Sequence, residues 1–174
     1  MSEFLQKLST YNIFNYLFPG VVFVILLKRY TDINLIVDDV VLGLFLYYFL
    51  GLVLSRIGSI LIEPLLKYWG VIQFSDYSKF VQASKLDEKI ELFSEVNNMH
   101  RTIIAMLVVL LAILTYTSTA TCHFPIGFLC LIILFILSYR KQTSFITKRI
   151  DEALQNASSP LLKTKGESAE EASS

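Results

Sequence analysis

Charged and amide side chains gather at one end of several long apolar runs, and these residues have the types and spacing that chemistry would need. Arg56 lies inside the second apolar run, and Glu63 follows two helical turns later on the same face. Ionisable side chains at membrane depth usually face neighbouring helices and find a partner there, or they mark the path of an ion. The candidate polar cluster consists of Asn12, Asn15, Arg56, Glu63, Glu95, Asn98 and Arg101.

Arg56 admits three interpretations. It bonds to an acidic or amide group of this cluster, it extends along its aliphatic stem to the lipid head groups, or it binds a ligand or ion. We predict the first, with Glu63 or Glu95 as the partner, because the four-span topology brings these groups to one depth. The sequence alone leaves the other two open.

A second pattern is a strip of small residues four or fewer positions apart, made of Gly51, Ser55, Gly58 and Ser59. Small residues let membrane helices approach closely. The strip therefore predicts a helix-packing face, either within the chain or between subunits. Pro19 and Gly20 predict a kink in the first span, which is either static or a hinge.

Catalytic motifs are missing from the sequence, and nothing in it predicts a cofactor. His100 and His123 fall on opposite sides of the membrane by the expected topology, so they cannot share a metal ion. Cys122 and Cys130 are too few for a disulfide framework and are expected to be unpaired thiols. We therefore expect no catalytic, cofactor or metal site, and a protein that is not an enzyme.

Four apolar runs must position the polar cluster. Apolar residues make up 54% of the 174 residues and charged residues 17%, whereas about a quarter of a soluble domain is charged. The runs predict transmembrane helices at approximately 11–27, 40–62, 102–120 and 124–139. They lack the alternation of a β-barrel. The fold class is all-α: a polytopic four-helix transmembrane bundle with an amphipathic cytoplasmic helical loop, in one membrane domain over residues 1–157.

The loop over 64–101 and the tail over 140–157 each show helical periodicity. In the loop, Ser75 and Asp76 can begin a helix that continues into the third span. The loop is too short for a core of its own, so it should pack on the tail or on another subunit. The tail presents a stripe of Ile146, Ile150 and Leu154, and the composition of 158–174 predicts disorder.

Orientation follows from the basic residues. Of the 15 Lys and Arg residues, only Lys28 and Arg29 fall in the first loop, and the third loop has none. The other thirteen lie at the N-terminus, in and beside the second loop, and in the tail. Because the basic side stays in the cytoplasm, we expect an inner-membrane protein with both termini cytoplasmic.

Three stretches resemble a group of small, uncharacterised bacterial four-helix membrane proteins: NIFNYLFPG from Asn12, LSRIGS from Leu54 and EVNNMHR from Glu95. The resemblance covers the spans and the second loop and implies no activity. The layout of four spans in a small chain is also similar to the membrane subunit of the Kiwa anti-phage defence system. That likeness is one of architecture alone.

These observations together favour an interaction or assembly module. The expected partners are the lipid bilayer and either further copies of the chain or another protein at the cytoplasmic loop and tail. A net charge of zero gives no indication of nucleic acid. The alternative is a subunit of an oligomeric channel or transporter, since four spans without charges at mid-membrane cannot form a pathway alone.

Overall fold

The computed structural model describes the backbone of residues 2–117 and 123–171 and the side chains of residues 13–117 and 126–158. In these residues the regular structure is entirely helical. It comprises α1 (Ser2–Tyr30), α2 (Val40–Ile57), a π-helical turn (Gly58–Ile62), α3 (Glu63–Tyr68), α4 (Tyr77–Leu86), α5 (Lys89–Tyr116) and α6 (His123–Glu171).

Four of these helices are long and apolar enough to cross a membrane. The candidate spans are Ile13–Tyr30, Val40–Tyr68, Lys89–Tyr116 and Ile126–Ser158. The predicted all-α fold with four apolar helices is confirmed. We call the side of the membrane on which α3 and α4 lie the loop side.

Helix α5 lies at the centre of the bundle and contacts α1, α2 and α6. Its buried face runs from Thr102 to Leu114 and packs in one apolar cluster with Val24 and Leu27 of α1, Leu54 of α2 and Phe128 of α6. Lipid is as apolar as these side chains, so close packing rather than a hydrophobic driving force must hold the spans together.

Helices α1 and α2 approach each other closely at two glycines. A Cβ atom on Gly51 would overlap the carbonyl oxygen of Tyr16, and one on Gly20 would overlap the carbonyl oxygen of Tyr47. Only hydrogen fits at either position. Helix α1 remains a single helix through the neighbouring Pro19, whose side chain is fully buried.

Farther along the chain, the small-residue strip packs against a second helix, α5. A Cβ on Gly58 would lie 3.1 Å from the backbone oxygen of Arg101 in α5. Ser55, between the two glycines, is buried, and Ser59 is half-buried. In this structure the strip packs against α1 and α5 of the same chain.

A layer of helices covers the loop-side end of the bundle. Helix α4 and the first turns of α5 pack on the second half of α6, around buried Ala83, Ile90, Ile146 and Ile150. We call this group of helices the loop-side layer. The tail stripe therefore packs on the second loop, which is the first of the two arrangements expected for that loop.

One continuous helix through the loop into the third span is a wrong prediction. The chain leaves helical geometry at Asp87, with φ −143° and ψ 102°, and α5 begins at Lys89. The Asp87 carboxylate accepts the backbone N–H of Lys89 at 3.0 Å, so an acidic side chain satisfies one of the free donors at a new helix start. Asp87 therefore lies at the end of α4 and stabilises the start of α5.

Helix α6 joins the fourth span and the tail in one element that reaches Glu171. Within 158–174 its helical backbone differs from the disorder that the composition predicts. Of the side chains in that stretch the structure describes only Ser158, whose hydroxyl donates to the Gln155 carbonyl at 2.9 Å within the same helix.

Candidate functional site

The polar cluster is organised by a short segment of α5. Between Glu95 and Arg101 this helix makes side-chain hydrogen bonds to α1, to α3 and to α6. The segment lies just on the loop side of the apolar core. The start of one central helix therefore fastens the three surrounding elements at a common level.

The strongest contact is the ion pair between Arg101 and Glu63. Arg101 Nη1 lies 2.5 Å from Glu63 Oε2, and Lys67 Nζ lies 2.7 Å from Glu63 Oε1. The Arg101 and Glu63 side chains are only 14% and 18% exposed. Because Gly58 has no side chain, the stem of Arg101 can lie directly against α2's end, and buried Tyr139 of α6 packs in the adjoining apolar cluster.

The π-helical turn places Glu63 for this contact. Pro64 has no N–H to give to the carbonyl four residues earlier, so the regular α-helical ladder cannot continue through it. The chain widens instead, and the Glu63 N–H bonds to the Gly58 carbonyl five residues back. Such single wide turns are frequent at functional sites in helices.

Asn15 and Glu95 form the second link, between α1 and α5. Asn15 is 5% exposed, and its Nδ2 donates to Glu95 Oε2 at 2.8 Å and to the Glu95 backbone oxygen at 3.4 Å. Pro19 also leaves the Asn15 carbonyl without its usual helical donor. The amide side chain thus joins two helices at the point where α1 is weakest.

Two links between α5 and α6 were not predicted from the sequence. Thr143 Oγ1 donates to Asn97 Oδ1 at 3.2 Å, and both side chains are buried. Ser138 Oγ lies 2.9 Å from His100 Nε2, while His100 Nδ1 lies 2.8 Å from the Val96 carbonyl. A carbonyl only accepts, so Nδ1 carries the proton and Nε2 accepts from Ser138. Hydroxyls spaced along the apolar face of α6 were the available signal.

The prediction that Arg56 bonds to Glu63 or Glu95 is wrong. Glu63 bonds to Arg101 and Lys67, and Glu95 bonds to Asn15. The Arg56 side chain is exposed on the outer face of α2, and in the described part of the chain no group bonds to it. The two arginines differ in burial. Arg101 lies where three elements meet, whereas Arg56 is exposed on the outside of the bundle.

The other predicted members contribute less. Among the described residues, the contribution of Asn98 is its backbone carbonyl, which accepts the Thr102 hydroxyl at 2.9 Å. The side chains of Asn12, Cys122 and His123 lie outside the described residues, and Cys130 is a free thiol on the exposed surface of α6.

Chemically, this arrangement is suited to holding helices together. Its acids pair with its own cations and amides, and a pocket of about 270 Å³ beside it is bordered by Glu63 and Lys67, which already bond to each other. Across the described residues, no three His, Cys, Asp or Glu side chains come together as a metal ion would require.

Comparisons with models of protein families, with curated proteins and with solved structures gave no match. The resemblance to small bacterial four-helix membrane proteins therefore stays an expectation.

Proposed function

We propose that the chain is a non-enzymatic membrane module that holds a helical docking layer against the inner face of the cell membrane. The observation that carries this proposal is the loop-side layer. Its own apolar cluster and the ion pair between Arg149 Nε and Asp87 Oδ2, at 2.6 Å, join the second loop to the tail. The polar cluster then anchors α5 and α6 to the spans.

Arg149 supports the same reading through a second contact. Its guanidinium lies 5.5 Å from the centre of the Phe93 ring, a cation–π distance. One arginine of α6 thus fixes the connection between α4 and α5 and the first turns of α5. A layer with such defined geometry can present a constant surface to a partner.

An open depression on this layer is the partner surface that we favour. It holds about 470 Å³ between the end of α4 and α6 and combines Leu86, Glu152 and Asn156 with the Asp87–Arg149 pair. Leu86 is 56% exposed. The depression carries acids as well as a cation, whereas a nucleic-acid surface would be basic, so a protein partner fits it better.

The orientation belongs to this proposal, because the docking layer must face the compartment that holds the partner. The thirteen basic residues on the loop side favour the cytoplasm. A reporter enzyme that is active only in the cytoplasm, fused after Ser174, should be active. Activity of a periplasmic reporter at the same position would overturn the orientation.

The experiment for the module is cross-linked affinity purification of the full chain from native membranes. We expect one soluble protein in fixed ratio, lost with Leu86→Asp and retained with Ile36→Asp, which makes the same kind of change at an exposed apolar residue of the opposite loop. Loss with both variants would overturn the assignment of the docking surface to the depression beside Leu86. A chain that purifies alone and conducts ions in planar bilayers would overturn the proposal in favour of the channel alternative.

A further inference from the structure

The outer face of α2 is a broad exposed apolar surface that contains one charge. Phe49, Val53, Ile60 and Leu61 are all exposed, and together with Leu52, Ile57 and Arg56 they border a shallow groove. Ile60 and Leu61 belong to the π-helical turn. The π-helical turn thus forms one end of the groove, and the Arg56 side chain forms part of its wall.

Arg56 needs an anion, because a guanidinium in an apolar setting is costly without one. The acids between residues 40 and 116 are Glu63, Asp76, Asp87, Glu88, Glu91 and Glu95. Glu63 and Glu95 are bonded inside the bundle. The other four lie in the second loop or the first turn of α5, beyond the apolar run that contains Arg56.

Among the side chains that the structure describes, a second copy of the chain therefore offers no free carboxylate in the apolar run around Arg56. The described parts of α1 and α6 do not supply one either, since no Asp or Glu occurs from 13 to 30 or from 126 to 150. The bilayer supplies an anion that the extended Arg56 side chain can reach, the phosphate at the leaflet surface. A phosphodiester can accept two parallel hydrogen bonds from a guanidinium. A protein surface without a carboxylate offers no such anionic acceptor.

We propose that Arg56 and the groove bind one anionic phospholipid of the loop-side leaflet. The guanidinium extends toward the leaflet surface and holds the phosphate, and one acyl chain lies along Phe49, Val53 and Ile60. The negative head group complements the single cation of the face, and the acyl chain complements its apolar wall.

The test uses the full chain, purified in detergent, delipidated, and titrated with phosphatidylglycerol or phosphatidylcholine while bound lipid is counted by native mass spectrometry. We expect one phosphatidylglycerol per chain, held at least about threefold more tightly than phosphatidylcholine. Losing a charged hydrogen-bond donor in Arg56→Ala should weaken binding roughly tenfold. Arg140→Ala, which removes an exposed cation of α6 near the same side, should bind as the wild type does.

A second variant tests the groove without changing charge. Val53→Trp fills it from an exposed position, and we expect phosphatidylglycerol binding to fall about threefold. Unchanged binding in Arg56→Ala would overturn the proposal, as would equal loss in Arg140→Ala. A dimer that dissociates in Arg56→Ala while lipid binding is unchanged would assign the face to a second copy and would also overturn it.

Discussion

The bundle and the loop-side layer are held together by different forces, because they fold in different solvents. Lipid gives no advantage to burying one apolar side chain against another, so the spans depend on backbone contact at Gly20 and Gly51 and on polar bonds such as Arg101 to Glu63. The layer faces water, where burying Ile90 and Ile150 is itself favourable. The stability of the bundle therefore depends mainly on steric fit, and the stability of the layer depends mainly on the apolar area that it buries.

The largest expected effect comes from one methyl group in the bundle. Gly51→Ala places a Cβ on the Tyr16 carbonyl oxygen, and no rotamer change can relieve contact with backbone. We expect a loss of at least about 3 kcal/mol, measured by unfolding in SDS titration. Gly127→Ala is the matched control, since its Cβ meets nothing within 4 Å. Equal stability of the two variants would contradict a bundle that depends on fit.

The next effect concerns the ion pair that fastens the bundle to α3. Arg101→Ala leaves Glu63 with Lys67 alone in a poorly exposed position, and we expect a cost of about 2 to 3 kcal/mol. The same SDS titration measures it. Arg140→Ala, at an exposed position, should change stability by less than about 0.5 kcal/mol. A neutral Arg101→Ala would mean that Lys67 suffices.

In the layer the expected effect is local. Ile150→Ala removes a side chain that is 2% exposed, and we expect about 2 kcal/mol of lost stability. Hydrogen exchange should rise in α4 and remain unchanged between 103 and 114 of α5. Lys148→Ala, at an exposed position two residues earlier in the same helix, is the control. Faster exchange throughout α5 would show that bundle and layer unfold as one unit.

The smallest effect is a pH dependence in the layer. The hydrogen bond from Arg149 lowers the pKa of Asp87 below its ordinary value of 3.8. The contribution of this ion pair to stability is therefore present above the pKa that Asp87 has in the unfolded chain. It is lost as the pH falls through the lower pKa that Asp87 has in the folded chain. Pepsin cleavage between α4 and α5 should be roughly twofold to fivefold slower in the wild type than in Asp87→Asn at pH 5. The two rates should converge as the pH falls through the lowered pKa of Asp87, and a constant ratio would contradict the assignment.

Periodicity and apolar length predicted the spans, and they predicted apolar faces on both the second loop and the tail. The sequence left open whether the loop packs on the tail or on another subunit, and the structure shows the tail. The spans and the apolar faces depend on the order of residues within a single helix, which can be read directly from the sequence.

The choice of partners within the polar cluster could not be predicted in the same way. Arg56 and Arg101 are both candidates by type and depth, and only the rotation of α2 and α5 about their axes decides which one faces Glu63. That rotation depends on Gly58 and on the π-helical turn, whose only sequence signal was Pro64. The links of Asn97 to Thr143 and of His100 to Ser138 depend on the rotation of α6 in the same way.

The turn at Gly58–Ile62 holds one residue more than an α-helix would use to cover the same contacts. Each residue advances an α-helix by about 100°, so everything after the turn, Glu63 included, is out of phase with α2. Deleting a single residue there would rotate Glu63 about the helix axis and swing its carboxylate roughly a quarter of a circle away from Arg101. We therefore expect this turn to tolerate substitutions of its side chains better than any change in its length.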